Sequence, residues 1–326
     1  MNTNNPHILI SRTDAIGDVV LTLPMCGYFK SFFPGATISF LGRTYTAPVI
    51  NACAAVDHFI NFDELQKLPE QQQAETLRAK NIDTIVHVFP NKQVAGLAKA
   101  AGIKLRIGTT NRLFHWYSCN KLVKLSRKNS DLHEALLNIA LLKPFGIPVP
   151  LLADVYKYYD LKPPADLAPQ FKSKLAADKF NLILHPKSHG SGAEWGLDKF
   201  AELIKLLPAE AFNVIITGSP KEQEVLKDWL KQQSTHIVDL TGQMSLTELI
   251  NFISYADGLL AAGTGPLHIA AATGIYTLGL FPCKRPIHPG RWAPLGAKAE
   301  YLESDGDTLH NISPATVAGR INSWKK

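Results

Sequence analysis

The chain has 326 residues, of which 46% are hydrophobic and 19% charged, and its formal net charge is +6. This length predicts about two domains, each large enough to bury its own core. The four cysteines lie far apart without a Cys-x-x-Cys pair, which disfavours a disulfide or zinc framework. A transmembrane helix and a signal peptide are not predicted, so we expect a cytoplasmic protein.

Short β-branched segments alternate with helical patterns in the first half of the chain. Apolar residues at helical spacing predict helices over 19–33, 64–80 and 92–101. This alternation is typical of a parallel sheet with crossover helices. The strands are predicted at His7–Ser11, Thr37–Leu41, His58–Asn61, Thr84–Val88 and Leu105–Gly108.

The second half repeats this rhythm after a proline-rich passage over 144–169, which we interpret as a linker. Helices are predicted over 197–207, 221–232 and 246–255, and a final helix opens at Ser313-Pro314. The pattern therefore predicts two doubly wound α/β domains. The strands are predicted at Asn181–His185, Asn213–Thr217, His236–Asp239, Gly258–Ala261 and Thr277–Phe281.

The segment Gly263–Gly274 joins a predicted buried strand to a predicted helix. Glycines at such a junction let backbone N–H groups point at an anion, which the helix dipole also attracts. Thr264 can supply a hydroxyl, Pro266 suits the first helical turn, and His268 can place a ring nitrogen near the same anion. The segment indicates a phosphate or diphosphate site, and the alternative is a tight strand-to-helix turn without a ligand.

A second candidate site follows the first predicted strand, where the chain reads Arg12-Thr13-Asp14-Ala15-Ile16-Gly17-Asp18. Gly17 permits a tight turn, and Asp18 falls at the start of the next helix. Its carboxylate either caps that helix or acts as a base in a ligand site. The segment is not a dinucleotide fingerprint, because the G-x-G-x-x-G spacing is absent.

The positive charge is concentrated in the first half of the chain. Between Asp83 and Asp131 the sequence contains only basic charged residues, with Phe114-His115-Trp116-Tyr117 in the middle. Such a stretch attracts phosphates, carboxylates or an anionic membrane surface, or is simply a solvated face. Nucleic acid is disfavoured, because no recognised binding motif accompanies the charge.

Together the segments Arg12–Asp18 and Gly263–Ala271 resemble glycosyltransferase family nine, the bacterial heptosyltransferases of lipopolysaccharide core assembly. The resemblance also covers His185-Pro186, Trp195 and Gly218–Glu222. It implies a GT-B fold, in which two Rossmann-like doubly wound parallel-sheet domains face a central cleft. The domains would be an acceptor-binding domain over 1–165, a nucleotide-sugar-binding domain over 166–310, and a C-terminal helix over 311–326 that packs back on the N-terminal domain.

The resemblance implies inverting transfer of heptose from ADP-heptose to the inner core of a lipopolysaccharide precursor. The family's general base falls on Asp18, and its ribose-contacting glutamate falls on Glu222. Two family features are absent: the acidic residue before Thr-Gly is replaced by Gly263, and the lysine before Trp195 is missing, so Lys187 is the candidate replacement. The phosphate-binding turn falls on Thr264, Gly265, Pro266, Leu267 and His268.

The acceptor in the family is an anionic lipid A derivative with Kdo, which implies an enzyme at the inner face of the inner membrane. We expect neither a metal ion nor a cofactor, because the sequence contains no Asp-x-Asp motif and no metal-type histidine spacing. Two alternatives stay open: transfer of a different nucleotide-sugar to another anionic glycan, or an inactive sugar-nucleotide-binding accessory protein. The candidate acceptor ligands are Arg12, Lys92, Arg106 and Arg112.

Overall fold

A computed structural model describes residues 5–163, 166–188, 190, 192–233 and 237–325. The chain divides into two compact units, 1–162 and 163–326, at the proline-rich passage. Each described unit contains one six-stranded sheet, and the strand pairs within both sheets are parallel. The α/β class and the two parallel sheets predicted from the sequence are thus confirmed.

The first unit contains a sheet whose central strands are buried on both faces. Its strands are β1 (His7–Ser11), β2 (Thr37–Gly42), β3 (His58–Asn61), β4 (Thr84–His87), β5 (Leu105–Thr109) and β6 (Lys121–Val123). Its helices are α1 (Ile16–Val20), α2 (Leu23–Phe32), α3 (Ala47–Asn51), α4 (Phe62–Leu65), α5 (Glu70–Arg78), α6 (Lys92–Ala100), α7 (His115–Ser118) and α8 (Glu134–Ile139). Short 3₁₀ segments cover Thr44–Thr46, Ala140–Phe145 and Leu152–Tyr158.

The second unit repeats the alternation of strands and helices. Its strands are β7 (Phe180–His185), β8 (Phe212–Ile216), β9 (Ile237–Asp239), β10 (Gly258–Ala262), β11 (Tyr276–Pro282) and β12 (Ala299–Ser304). Its helices are α9 (Pro169–Lys172), α10 (Leu197–Leu206), α11 (Pro220–Lys231), α12 (Leu246–Tyr255), α13 (Gly265–Thr273), α14 (Pro289–Trp292) and α15 (Pro314–Ser323). His236, predicted as the first residue of β9, lies outside the described residues.

The two sheets have the same strand order. The first sheet runs β3-β2-β1-β4-β5-β6, and the second runs β12-β11-β10-β7-β8-β9, which is the same order read from the other edge. Each sheet therefore has a switch point, where the order reverses between its two central strands: β1 and β4 in the first unit, β7 and β10 in the second. Ligands of open α/β sheets bind beyond the carboxyl ends of the strands at such a point.

Two predicted helices need correction. The helix predicted over 19–33 is two helices, because the chain turns at Leu21–Thr22 before Pro24. The helix predicted over 64–80 is also two, α4 and α5, with Pro69 immediately before α5. The strands β6 and β12 were not predicted.

The C-terminal helix α15 packs on α10 within the second unit. Val317, Ile321 and Trp324 are buried in the core that Leu203 and Leu182 share. The apolar face of this helix is therefore used within its own unit, and the packing of residues 311–326 on the N-terminal domain stays a prediction.

Candidate active site

The second switch point brings two loops side by side. Ala261 of β10 lies beside His185 of β7 in the sheet, so the loop after β7 and the turn after β10 leave the same edge. The loops also touch, because a Cβ atom placed on Gly192 would lie 3.0 Å from the carbonyl oxygen of Gly263. The loop with Lys187 and the turn with Thr264, both predicted to bind the donor, are therefore neighbours in space.

The turn after β10 ends in the N-terminus of α13, a nine-residue helix. Thr264 is its N-cap residue, but the threonine side chain makes no capping hydrogen bond. The residue is 4% exposed, and its Oγ1 finds no hydrogen-bond partner among the described residues. Burying a hydroxyl costs free energy unless a ligand or a water molecule forms a hydrogen bond with it. The N-terminal dipole of α13 favours an anion at this position.

The other predicted residues of this turn occupy the first helical turns of α13. Gly265 and Pro266 begin the helix, and Leu267 is fully buried beneath it. His268 is 3% exposed, and its backbone N–H donates to the carbonyl oxygen of Thr264 at 3.4 Å. The five residues assigned to phosphate binding thus form one continuous structural feature.

Gly263 is packed closely against Phe281. A Cβ atom at this position would lie 2.9 Å from Cε1 of Phe281, whose ring is buried. An acidic side chain therefore does not fit here while Phe281 holds its place.

Lys187 lies in the loop after β7, and its charge is compensated. Its Nζ forms an ion pair with Glu194, the residue immediately before Trp195. The backbone N–H of Ser188 also donates to the Glu194 carboxylate, at 3.1 Å. Burial acts to raise the pKa of Glu194, but these partners bring it below its ordinary value. The loop thus contains a lysine at the predicted position and a carboxylate that neutralises it.

Glu222 is buried and forms a capping box at the start of α11. Its Oε2 accepts the backbone N–H of Ser219 at 2.7 Å, and its own N–H donates to Ser219 Oγ at 3.3 Å. Burial lowers the pKa of His185 at the end of β7, while the nearby Glu222 acts in the opposite direction. Glu222 therefore lies near His185 at the end of β7, while one of its oxygens stabilises the helix, and its contact with a ribose stays a prediction.

In the first unit, Asp18 lies in the first turn of α1 but does not cap it. The N-cap residue is Ala15, so the capping alternative is excluded. The Asp18 carboxylate accepts a hydrogen bond from Arg12 Nη2, and its side chain remains 21% exposed. Burial raises the pKa of Asp18 to about 6, against the opposing effect of Arg12 and with a further rise from Asp14 and Glu134. A carboxylate with this pKa is a suitable general base near neutral pH.

A buried polar network holds Arg12 in place. Arg12 is 3% exposed and also donates from Nε to Asp14 at 2.7 Å and from Nη1 to Glu134 at 2.9 Å. Glu134 accepts a further bond from Arg127 Nε at 2.9 Å. Burial acts to raise the pKa of Glu134, but the two arginines lower it to about 2. Arg12 is therefore the centre of an internal ion cluster.

Two predicted acceptor ligands, Arg12 and Arg106, make contacts within the first unit. All three nitrogens of Arg12 donate to side chains of its own unit, and its role in acceptor binding stays a prediction. Arg106 is half-buried and donates from Nε to the carbonyl oxygen of Ser118 at 2.7 Å, so its described contacts are structural. Lys92 and Arg112 are exposed, and their role in acceptor binding stays a prediction.

Sequence reasoning missed the residues that support Asp18 from α8. Asn138 accepts from Arg12 Nη1 at 3.2 Å and donates to Thr22 Oγ1 at 3.1 Å, and Thr22 in turn donates to the carbonyl oxygen of Asp18 at 2.8 Å. Glu134 and Asn138 lie more than a hundred residues from Asp18 along the chain. The one available signal was Glu134 itself, which lies on the mostly apolar helix α8. A carboxylate buried with such a helix needs a positively charged partner, so its position indicates that one exists.

Comparisons with known proteins classify the chain. The model of glycosyltransferase family 9 (heptosyltransferase) matches residues 71–319, which is more than half of the chain. The protein is therefore a glycosyltransferase, and the chain belongs to glycosyltransferase family 9.

Individual relatives give the same classification. The chain is 28% identical over 300 residues to a Haemophilus influenzae protein with a provisional glycosyltransferase name, covering 88% of this chain and 86% of that protein. It is 23% identical over 283 residues to lipopolysaccharide heptosyltransferase 3 of Escherichia coli K12, covering 81% and 79%. The structure of the E. coli ADP-heptose lipopolysaccharide heptosyltransferase II matches with a TM-score of 0.77 at 20% identity, covering 98% of both chains. This likeness shows the shared GT-B fold.

Proposed function

We propose that this chain is an inverting heptosyltransferase that transfers heptose from ADP-heptose to the Kdo/heptose inner core of a lipopolysaccharide precursor. The observation that carries the proposal is the buried Thr264 hydroxyl, which lacks a partner among the described residues at the N-terminus of α13. A donor diphosphate supplies the acceptor oxygens that this hydroxyl and the helix dipole favour. Family membership and the names of the relatives support the same donor class.

The proposed reaction is a single displacement with Asp18 as the base. An acceptor hydroxyl attacks the anomeric carbon, the bond from that carbon to the diphosphate oxygen breaks, and configuration inverts. The hydroxyl proton passes to the Asp18 carboxylate as the new bond forms. The raised pKa of Asp18 strengthens it as a proton acceptor while leaving it ionised above about pH 6.

Negative charge grows on the leaving diphosphate as the bond breaks. In this proposal the N-terminus of α13, the Thr264 hydroxyl and His268 stabilise that charge, and Glu222 contacts the nucleoside ribose. Lys187 adds a positive charge when its ion pair with Glu194 opens toward the donor. These groups act without a metal ion, and we propose metal-independent transfer.

The proposed acceptor is anionic and lipid-linked. Kdo carboxylates and lipid A phosphates match the basic stretch 84–130, where Lys92 and Arg112 offer exposed cations. We propose that the enzyme works in the cytoplasm, in transient contact with the inner face of the inner membrane. In the part of the chain that the structure describes, no helix is long and apolar enough to cross a bilayer.

The direct test is transfer from ADP-heptose to a Kdo-bearing lipid A acceptor, measured as ADP release and as the product's mass. We expect a product one heptose heavier, with inverted anomeric configuration by NMR, and equal rates with and without EDTA. Donor and acceptor recovered unchanged, with a folded protein, would contradict the proposal.

A different nucleotide-sugar is the second candidate donor, and two observations favour it. The Lys187–Glu194 ion pair neutralises the cation expected at the donor phosphates, and Gly263 removes an acidic contact. Thermal unfolding with a panel of nucleotide-sugars distinguishes the two, because a true ligand raises the melting temperature by mass action. Stabilisation by ADP-heptose alone supports the first candidate, and stabilisation by another sugar nucleotide supports the second.

A further inference from the structure

The helical turn of residues 112–118, which includes α7, exposes apolar side chains and buries polar ones. Leu113, Trp116 and Tyr117 are 81%, 61% and 64% exposed. They have the spacing i, i+3 and i+4, which places them on one face of the turn. On the other face His115 is fully buried and Ser118 is 7% exposed. A turn that faces only water has the opposite pattern, so this face is adapted to an apolar environment.

Hydrogen bonds fix this turn in its exposed position. Trp116 Nε1 donates to the carbonyl oxygen of Thr110 at 3.0 Å, which orients the indole ring. The Nζ of Lys99 donates to the carbonyl oxygen of Tyr117 at 2.9 Å, and His115 Nδ1 accepts the N–H of Thr109 at 2.9 Å. The apolar face is therefore a built surface, held by contacts to β5 and α6.

The charged residues of the sequence around the turn are all basic. The sequence from residue 84 to residue 130 contains nine Lys and Arg residues and lacks Asp and Glu. Lys99 contacts the turn directly, and Arg112 belongs to it. The exposed cations of this stretch are Lys92, Lys99, Lys104, Arg112, Lys121, Lys124 and Lys128.

We infer that this turn docks on an anionic lipid bilayer, with Leu113, Trp116 and Tyr117 in the interfacial region and the surrounding cations at the headgroups. Trp and Tyr suit this depth, because their rings are apolar and their polar atoms stay near water. Basic side chains add attraction to anionic lipid. The choice of a bilayer as occupant rests on the proposed function, whose acceptor is lipid-linked, and on the uniformly positive charge.

Vesicle flotation tests the docking without donor or acceptor, so its failure is distinguishable from failure of the transfer reaction. We expect the wild-type protein to float with vesicles of phosphatidylcholine and phosphatidylglycerol in equal parts, and not with phosphatidylcholine alone. The triple variant Leu113→Ser, Trp116→Ser, Tyr117→Ser should bind at least about tenfold less, because the insertion of even one such side chain contributes about a tenfold factor. Its melting temperature should fall only slightly, since these side chains are mostly exposed and the hydrogen bond from Trp116 to Thr110 is the one described side-chain bond that is lost.

Matched variants separate the local surface from general effects. Leu151→Ser with Val225→Ser removes two similarly exposed apolar side chains elsewhere and should leave flotation unchanged. Lys121→Glu with Lys124→Glu should weaken binding by more than about fivefold for each position, whereas Lys205→Glu with Lys227→Glu should have little effect at the same net charge.

Three results would overturn the inference. The first is flotation of the triple variant at the wild-type level. The second is equal weakening by both lysine pairs, which would indicate only a long-range charge effect. The third is wild-type flotation solely with vesicles that contain the lipid-linked acceptor, or with none, which would assign the surface to the substrate or to a protein partner.

Discussion

Replacement of Asp18 by Asn should abolish transfer and at the same time stabilise the protein. The change keeps the shape of the side chain but removes the proposed base. At pH 8, about two units above its pKa of about 6, Asp18 is about 99% ionised in the wild-type protein. Since a positioned general base contributes about 10²–10⁴-fold, kcat should fall by that factor while the donor still binds.

The stabilisation follows from the direction of the pKa shift. Burial raises the pKa of Asp18 from 3.8 to about 6, so the folded protein disfavours the ionised carboxylate. This penalty is absent below about pH 3.8 and complete above about pH 6. A shift of this size corresponds to at most about 3 kcal/mol, reduced by the exposure of the side chain. Asp18→Asn should therefore raise the free energy of unfolding at pH 8, and the gain should shrink as the pH approaches 4.

Asp14→Asn provides the matched control. Asp14 also contacts Arg12, and its side chain is 23% exposed against 21% for Asp18. ADP release gives the activity, and urea unfolding at several pH values gives the stability. We expect Asp14→Asn to keep most of the activity. An Asp18→Asn enzyme within tenfold of wild type, or one whose stability gain grows toward low pH, would refute the reasoning.

The remaining predictions concern the support of the base and the anion site. Glu134→Gln removes a negative charge that raises the pKa of Asp18, so the acid limb of the plot of kcat against pH should move to lower pH. An acid limb at the wild-type position would contradict this prediction. Thr264→Val should lower kcat/KM about 10²-fold in steady-state assays without loss of stability. Thr264→Ser, which keeps the hydroxyl, should retain most of the wild-type kcat/KM. Gly263→Ala should cost about 1–3 kcal/mol of unfolding free energy, because its Cβ meets Phe281, and adding Phe281→Leu should recover part of this in a double-mutant cycle.

Buried central strands were the part of the fold that the sequence predicted best. His7–Ser11 agrees residue for residue, because the apolar run Ile8–Ile10 lies between polar His7 and Ser11. β6 has only three residues, and β12 is interrupted by Glu300 and Glu303, so neither has a long apolar run. Both are edge strands, whose pairing depends on the sheet beside them more than on their own sequence.

The candidate site was predictable where one segment carries it and not where distant segments meet. The segment Gly263–His268 is continuous, so its chemistry could be predicted from residues that are adjacent in the sequence. Arg12 carries the same charge whether it contacts a ligand or a buried carboxylate. The sequence does not show that Glu134 lies beside it, so this ion pair could not be predicted. The ion pair between Lys187 and Glu194 could not be predicted either, because it depends on how the loop between the two residues folds.

The two switch points have the same topology but different charged side chains, and this difference supports the roles proposed for them. α1 carries Asp18 in its first turn, with Glu134 and Asp14 nearby, so a diphosphate would meet like charge there. α13 has no acidic side chain and begins after a buried hydroxyl, that of its N-cap residue Thr264. A base needs a neighbourhood that disfavours its own negative charge, whereas a leaving group needs one that favours it. We therefore propose a proton acceptor after β1 in the first unit and an anion site after β10 in the second, on two sheets of the same strand order.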